Sequence, residues 1–75
     1  MKKYGARELI IQTANKLVGK NGYANTSIIE IAKQADISVG TLYYHFPRGK
    51  IDILLALTRE IAQDFKEEAK KYWFL

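Results

Sequence analysis

Two short helical segments joined by a very tight turn, over residues 27–46, constrain the fold of this chain more than any other feature. Ser27 and Glu30 have the spacing of a capping box, which starts a helix of about eight residues. Asp36 must then bend the chain, and we predict a positive φ angle there, because aspartate tolerates the left-handed conformation better than most side chains. Ser38 caps a second short helix, which a proline ends. This spacing is that of a helix-turn-helix.

The remaining sequence also has helical periodicity, so we predict an all-α fold. It consists of a three-helix head over 1–49 and the start of a long fourth helix over 50–75. The first helix is expected over 6–20, with Asn21-Gly22 as its C-cap. The residues expected to share the core are Ile31, Ala32, Ile37, Leu42, Phe46, Leu54 and Leu55. The buried stripe of the fourth helix is expected to begin with Ile51, Leu54, Leu55 and Thr58.

Length and composition exclude several classes of protein. The chain has 75 residues, no cysteine and one histidine, so disulfides, thiolate metal sites and multi-histidine metal sites are excluded. No apolar run approaches the roughly 18 residues of a membrane span, and no signal-peptide pattern opens the chain. A glycine-rich phosphate loop is absent too. We therefore expect a soluble cytoplasmic domain that is not an enzyme and binds no metal, cofactor or membrane.

The charge is distributed unevenly along the chain. Residues 1–50 contain eight Lys or Arg and three acidic residues, whereas residues 51–75 contain four Lys or Arg and five acidic residues. A basic head on a nearly neutral tail is typical of a surface that meets nucleic acid, although a solvated basic surface would have the same composition.

The third helix has an unusual outer face for a helix that only had to pack. When Leu42 and Phe46 point inward, Gly40, Thr41 and Tyr44 point outward. In a helix-turn-helix this face lies in the DNA major groove. Gly40 would let the backbone approach the groove floor, or would only allow close helix packing. Thr41 offers a hydroxyl and a methyl, and the methyl suits contact with a thymine methyl.

Side chains around this helix suit contacts with phosphate. Tyr43 and Tyr44 can donate hydroxyl hydrogen bonds to phosphate oxygens, and His45 and Lys50 can add charge-assisted contacts. Lys50 also lies at the N-terminus of the fourth helix, where free N–H groups favour a phosphate.

Each of these assignments has a structural alternative. Tyr43 could be a half-buried core aromatic, and His45 could only interact with the C-terminal dipole of its helix. Lys50 could be a solvated surface lysine, and Ser27 could only be a cap. Ile29 points outward beside the apolar stripe of its helix, either incidentally or to contact a thymine methyl.

These motifs together resemble the TetR family of transcriptional regulators. The matching features are Arg7, Leu9 and Ile10, Gly22, "TSIIEIAKQADIS", "GTLYYHF", and Lys50 followed by Leu54. The resemblance departs from the usual pattern at Asp36, where glycine is common, and at Ile29, where an outward polar residue is common. The DNA contacts that it implies are Ser27, Ile29, Ser38, Val39, Gly40, Thr41, Tyr43, Tyr44, His45 and Lys50.

The same resemblance implies how a complete regulator works. A three-helix head binds double-stranded DNA, and a linking helix joins it to a larger domain for dimerisation and ligand binding, so on this resemblance we expect the 75 residues to be a fragment or an isolated domain. Members are mostly homodimeric repressors that small-molecule effectors release from palindromic operators, with one half-site for each head. We expect this chain to be mainly monomeric. The alternative function is a small helical module that docks on a partner protein through its apolar C-terminal end, 72–75.

Overall fold

The structure, a computed structural model, describes residues 5–59, and all regular secondary structure within this range is helical. Helix α1 covers Ala6–Asn21, α2 covers Ile28–Gln34 and α3 covers Val39–His45. A fourth helix, α4, begins at Lys50, and its described part covers 50–59. The all-α prediction is confirmed. The remainder of the predicted fourth helix and the apolar end at 72–75 lie outside the described residues.

The first three helices pack around one apolar core, and α4 adds one face to it. Ile10, Ile31 and Leu42 are among the largest fully buried side chains, and they come from α1, α2 and α3 respectively. The other buried apolar residues of the cluster are Ile11, Ala14, Ala32, Phe46, Ile53, Ala56 and Leu57. Ile37 is partly buried and packs against this cluster, as predicted for the residue after the turn.

The predicted register of α4 is wrong. Ile51, Leu54 and Leu55 are 57%, 37% and 47% exposed, whereas Ile53 and Leu57 are nearly fully buried. Both sets of residues have helical spacing, so the sequence pattern alone is satisfied by either face. Packing against the other helices chooses the face that carries Ile53, Ala56 and Leu57.

The link between α1 and α2 is held by short-range hydrogen bonds. Gly22 closes α1, and its N–H donates to the Val18 carbonyl at 2.8 Å. Thr26, which is 2% exposed, donates from its hydroxyl to the Gly22 carbonyl at 2.8 Å. Ser27 Oγ then accepts from the Glu30 N–H at 3.1 Å, which confirms the predicted cap of α2.

The turn between α2 and α3 is a Schellman motif centred on Asp36. Asp36 has φ +58°, as predicted. Its N–H donates to the Lys33 carbonyl at 3.2 Å, and the Ile37 N–H donates to the Ala32 carbonyl at 3.0 Å. These two bonds satisfy the last carbonyls of α2 and bring Ile37 back against the core. The motif reverses the chain within two residues and leaves Ser38 in position to cap α3.

We predict that Asp36→Gly leaves the free energy of unfolding within about 0.5 kcal/mol or raises it slightly, because glycine adopts this φ without strain. Asp36→Val should lower it by about 1–2 kcal/mol, because a β-branched side chain is strained in this conformation. Urea unfolding of the three proteins measures both changes. A tolerated valine together with a damaging glycine would show that the left-handed turn is not what Asp36 provides.

Candidate nucleic-acid interface

The N-terminus of α3 is built on a pair of hydroxyl groups. Ser38 Oγ accepts from the Thr41 N–H at 3.0 Å and shares a second hydrogen bond with Thr41 Oγ1 at 2.9 Å. Gly40 and Tyr44 are exposed as expected from their outward positions, whereas Thr41 is only partly exposed. Its hydroxyl is hydrogen-bonded to Ser38 Oγ at the start of the helix.

Gly40 lies on the exposed surface of α3, and no neighbouring helix needs the space it leaves. A Cβ atom placed there would meet only Ser38 Oγ, at 3.8 Å, which is ordinary van der Waals contact. Close helix packing therefore does not explain this glycine. Its absent side chain leaves a shallow place on the outer face of α3, where another molecule can reach the backbone.

The two adjacent tyrosines have different environments. Tyr44 is 81% exposed, and its ring meets that of His45 edge to face at a centroid distance of 5.1 Å. Tyr43 is 44% exposed, and its ring covers Gly49, where an added Cβ would lie 3.3 Å from Tyr43 Cε1. Tyr43 is thus exposed and lies outside the core cluster, so it is not the half-buried core aromatic of the structural alternative.

Gly49 makes the sharp entry into α4 possible. It has φ +68°, a conformation that favours glycine, and the Tyr43 ring leaves little room for a side chain. Its N–H donates to the Phe46 carbonyl at 2.8 Å, and its carbonyl accepts from the Ile53 N–H at 3.1 Å. The N-terminus of α4 therefore begins directly beside Tyr43.

Lys50 is not a freely solvated lysine. Its Nζ donates to the Tyr23 carbonyl at 2.7 Å and lies 4.2 Å from the centroid of the Tyr23 ring. The side chain ties the first turn of α4 to the loop between α1 and α2. An ammonium has three donors, so two remain for another acceptor. No local sequence signal links residues 23 and 50, and Tyr23 was not among the predicted site residues.

An ion pair that the sequence interpretation missed fixes the first turn of α4. Asp52 Oδ2 accepts from the Arg48 N–H at 2.7 Å, and Oδ1 accepts from Arg48 Nε at 2.8 Å. The backbone hydrogen bond from Arg48, with the bond and charge of its guanidinium, lowers the pKa of Asp52 below its ordinary value of 3.8. This contribution to stability is complete above that value and is lost as the pH falls through the lowered pKa. Arg48 and Asp52 lie four residues apart, and this spacing was the sequence signal that could have predicted the ion pair.

His45 points into a different part of the surface from Gly40. It lines a cleft with Arg7, Arg48, Asp52 and Arg59, between α3 and α4. The Arg7 guanidinium lies 5.5 Å from the centroid of the Phe46 ring, at the floor of this cleft. His45 thus lies beside Tyr44, in a cleft whose charged side chains are three arginines and Asp52.

The N-terminus of α2 presents the remaining predicted residues. Ser27 is exposed and caps the helix through the bond to Glu30 already described. Ile29 is 70% exposed, although the neighbouring Ile31 is 1% exposed. Val39, the first residue of α3, is 39% exposed. Both helices of the motif therefore carry an exposed branched apolar residue in their first turn.

Other kinds of site find no support in the described part of the chain. Residues 5–59 contain no group of three His, Cys, Asp or Glu side chains placed to hold a metal ion. None of the helices in this range is long and apolar enough to cross a membrane.

Comparison with known proteins gives a consistent result. The family profile described as "Bacterial regulatory proteins, tetR family" matches residues 10–57. The HTH-type transcriptional regulator LmrA of Bacillus subtilis is 33% identical over 66 residues, 87% of this chain and 35% of the relative. The Fatty acid metabolism regulator protein of the same species is 37% identical over 68 residues, 80% of this chain and 34% of the relative.

A third relative is the HTH-type transcriptional repressor KstR of Rhodococcus jostii. It is 40% identical over 55 residues, which are 72% of this chain and 26% of the relative. The chain thus spans about a third or less of the length of these relatives. No solved structure matches it.

We predict that Gly40→Ala raises the free energy of unfolding, by less than the roughly 1 kcal/mol of a helix interior because Gly40 lies in the first turn, since alanine is the better helix former and the site has room for a methyl group. Thermal or urea unfolding measures the change. Gly49→Ala is the matched control and should be destabilising, because of its positive φ and the nearby Tyr43 ring. If Gly40→Ala instead lowered the free energy of unfolding, close helix packing would explain the glycine at position 40.

Proposed function

Because the chain belongs to the TetR family of bacterial regulatory proteins, we propose that it is the sequence-specific DNA-binding head of a transcriptional regulator. In this proposal α3 enters the major groove, and the first turn of α2 lies beside it. The observation that carries the proposal is the exposed, unpacked face of α3 around Gly40 and Tyr44, which the core does not need.

The glycine in this face has a functional explanation that folding does not supply. Gly40 weakens α3 without relieving any steric contact with another helix. Residues that lower stability without a packing role are expected where a ligand binds. A recognition helix that lies deep in the groove gains from a position without a side chain, because its backbone can then approach the base edges.

The start of α4 is proposed to hold the DNA backbone. The Tyr43 ring lies against Gly49 at the N-terminus of α4, and the Lys50 ammonium lies at the Tyr23 carbonyl. Together they offer hydroxyl, amide and ammonium donors of the kinds that bind phosphate oxygens. Tyr44 is proposed to contact a phosphate at the edge of the exposed face of α3, and His45 beside it in the cleft that Arg7 and Arg48 line. Ser27 and Ser38 are proposed to contact phosphates from the N-caps of α2 and α3.

For the complete regulator we propose repression as the outcome of DNA binding, since one relative is named as a transcriptional repressor. A homodimer would place two heads on one palindromic operator, one half-site each. We propose that dimerisation and the response to a small-molecule effector belong to segments other than the matched head, so that this chain is mainly monomeric. The alternative of a protein-docking module depends on residues 72–75, which lie outside the described range.

Selection of bound sequences from a random DNA pool, followed by titration of the selected half-site, tests the proposal. We expect a defined half-site and an affinity that falls steeply with salt, because phosphate contacts carry much of the binding. Lys50→Ala should weaken binding to all sequences and reduce the salt slope by about one unit. Gly40→Ala should fold at least as stably as the original chain and yet bind the half-site less tightly.

A matched control for Lys50 is Lys20→Ala, which removes an exposed lysine from the end of α1. It should leave the salt slope nearly unchanged. An enriched pool with no common sequence, or a Gly40→Ala protein that binds as well as the original, would contradict the proposal.

A further inference from the structure

Building on the proposed function, we propose that this head distinguishes base pairs mainly by apolar contact with thymine methyl groups. The contacts are made by Ile29, Val39 and the methyl group of Thr41. The operator half-site would accordingly carry thymines at the positions these side chains reach. If the chain did not bind DNA, this inference would fail with the proposed function, so the experiment below separates the two.

The first support is the composition of the recognition helix. Helix α3 has the sequence VGTLYYH and contains no Arg, Lys, Asn or Gln. These are the side chains that make paired hydrogen bonds to guanine or adenine in the major groove. In the first turn of α2 the polar side chain is Glu30, which is half-buried. Helix α3 and the first turn of α2 therefore lack the side chains that most often form paired hydrogen bonds with purines.

The second support is the hydrogen bonding of the hydroxyl groups at the start of α3. Ser38 Oγ and Thr41 Oγ1 are bonded to each other at 2.9 Å, and Ser38 Oγ also accepts from the Thr41 N–H. Ser38 Oγ is the acceptor that caps this seven-residue helix, so a base edge that drew Ser38 away from the Thr41 N–H would weaken the cap. The methyl group of Thr41 carries no such cost when it contacts a base.

The third support is the exposure of two branched apolar side chains in the first turns of α2 and α3. Ile29 is 70% exposed and Val39 is 39% exposed. The core uses Ile31 and Leu42 from the same helices, which are almost completely buried. Ile29 therefore contributes little to the fold. The thymine C5-methyl is the apolar group that base edges present in the major groove, and it distinguishes thymine from cytosine.

The test replaces each thymine of the selected half-site, one at a time, by uracil. This change removes only the C5-methyl group and keeps the base pairing. At each thymine whose methyl group touches the protein, we expect uracil to lower the affinity of the 75-residue chain about fourfold, which corresponds to the roughly 0.8 kcal/mol of one buried methyl group. Thymines that the protein does not touch should show no change.

Variants assign each methyl contact to a side chain. Ile29→Ala and Val39→Ala should each remove the uracil effect at a different position while leaving the salt slope unchanged. The matched control is Ile51→Ala, which removes an isoleucine of similar exposure, 57%, from α4. It should keep every uracil effect. Circular dichroism and thermal unfolding verify that all the variants fold.

Two results would overturn the inference and leave the proposed function standing. One is a defined, salt-sensitive half-site whose affinity does not respond to uracil at any position, or that contains no thymine. The other is a base preference that Lys33→Ala or Glu30→Ala changes while Ile29→Ala and Val39→Ala do not, since this would assign the discrimination to polar groups. A chain that shows no sequence preference at all would overturn both proposals.

Discussion

The left-handed turn at Asp36 is the constraint on which the rest of this structure depends. It ends α2, brings Ile37 against the core and places Ser38 at the N-terminus of α3. The position of Ser38 sets where α3 begins and therefore which of its side chains face the core. Leu42 is one of these, and it is completely buried. Truncating a buried leucine typically costs about 2–5 kcal/mol, a large share of the stability of a domain this small. The buried face of α3 and its exposed face are therefore set by the same turn.

Burial and exposure are divided sharply on the two helices of the motif. Leu42 and Ile31 serve the core, whereas Gly40, Tyr44 and Ile29 have little part in it. Side chains that the core does not need can be replaced without loss of the fold. A surface that binds a specific DNA sequence requires this freedom. The start of α4 is constrained more strongly, by Lys50 on the Tyr23 carbonyl and by the Arg48–Asp52 pair. A rigid α4 N-terminus suits a surface that positions the head on the DNA backbone, as phosphate contacts do.

The features that the sequence predicted correctly are those determined by neighbours in the chain. The serine cap of α2, the Gly22 end of α1 and the φ angle of Asp36 each depend on a few adjacent residues with strong conformational preferences. The register of α4 was predicted wrongly because two of its faces are apolar, and only packing chooses between them. The Lys50–Tyr23 contact joins residues 27 positions apart, so no local pattern could indicate it. The roles proposed for the site residues remain predictions.

We propose that DNA is bound by the exposed faces of α2 and α3 together with the start of α4. The most direct measurement is an NMR titration of the isotopically labelled chain with the selected half-site duplex, following each backbone amide. We expect the largest shifts at Ile29, at residues 38–44 and at Lys50, and small shifts at exposed α1 positions such as Gln12 and Asn15. Large shifts confined to α1, with residues 38–44 unaffected, would contradict the account.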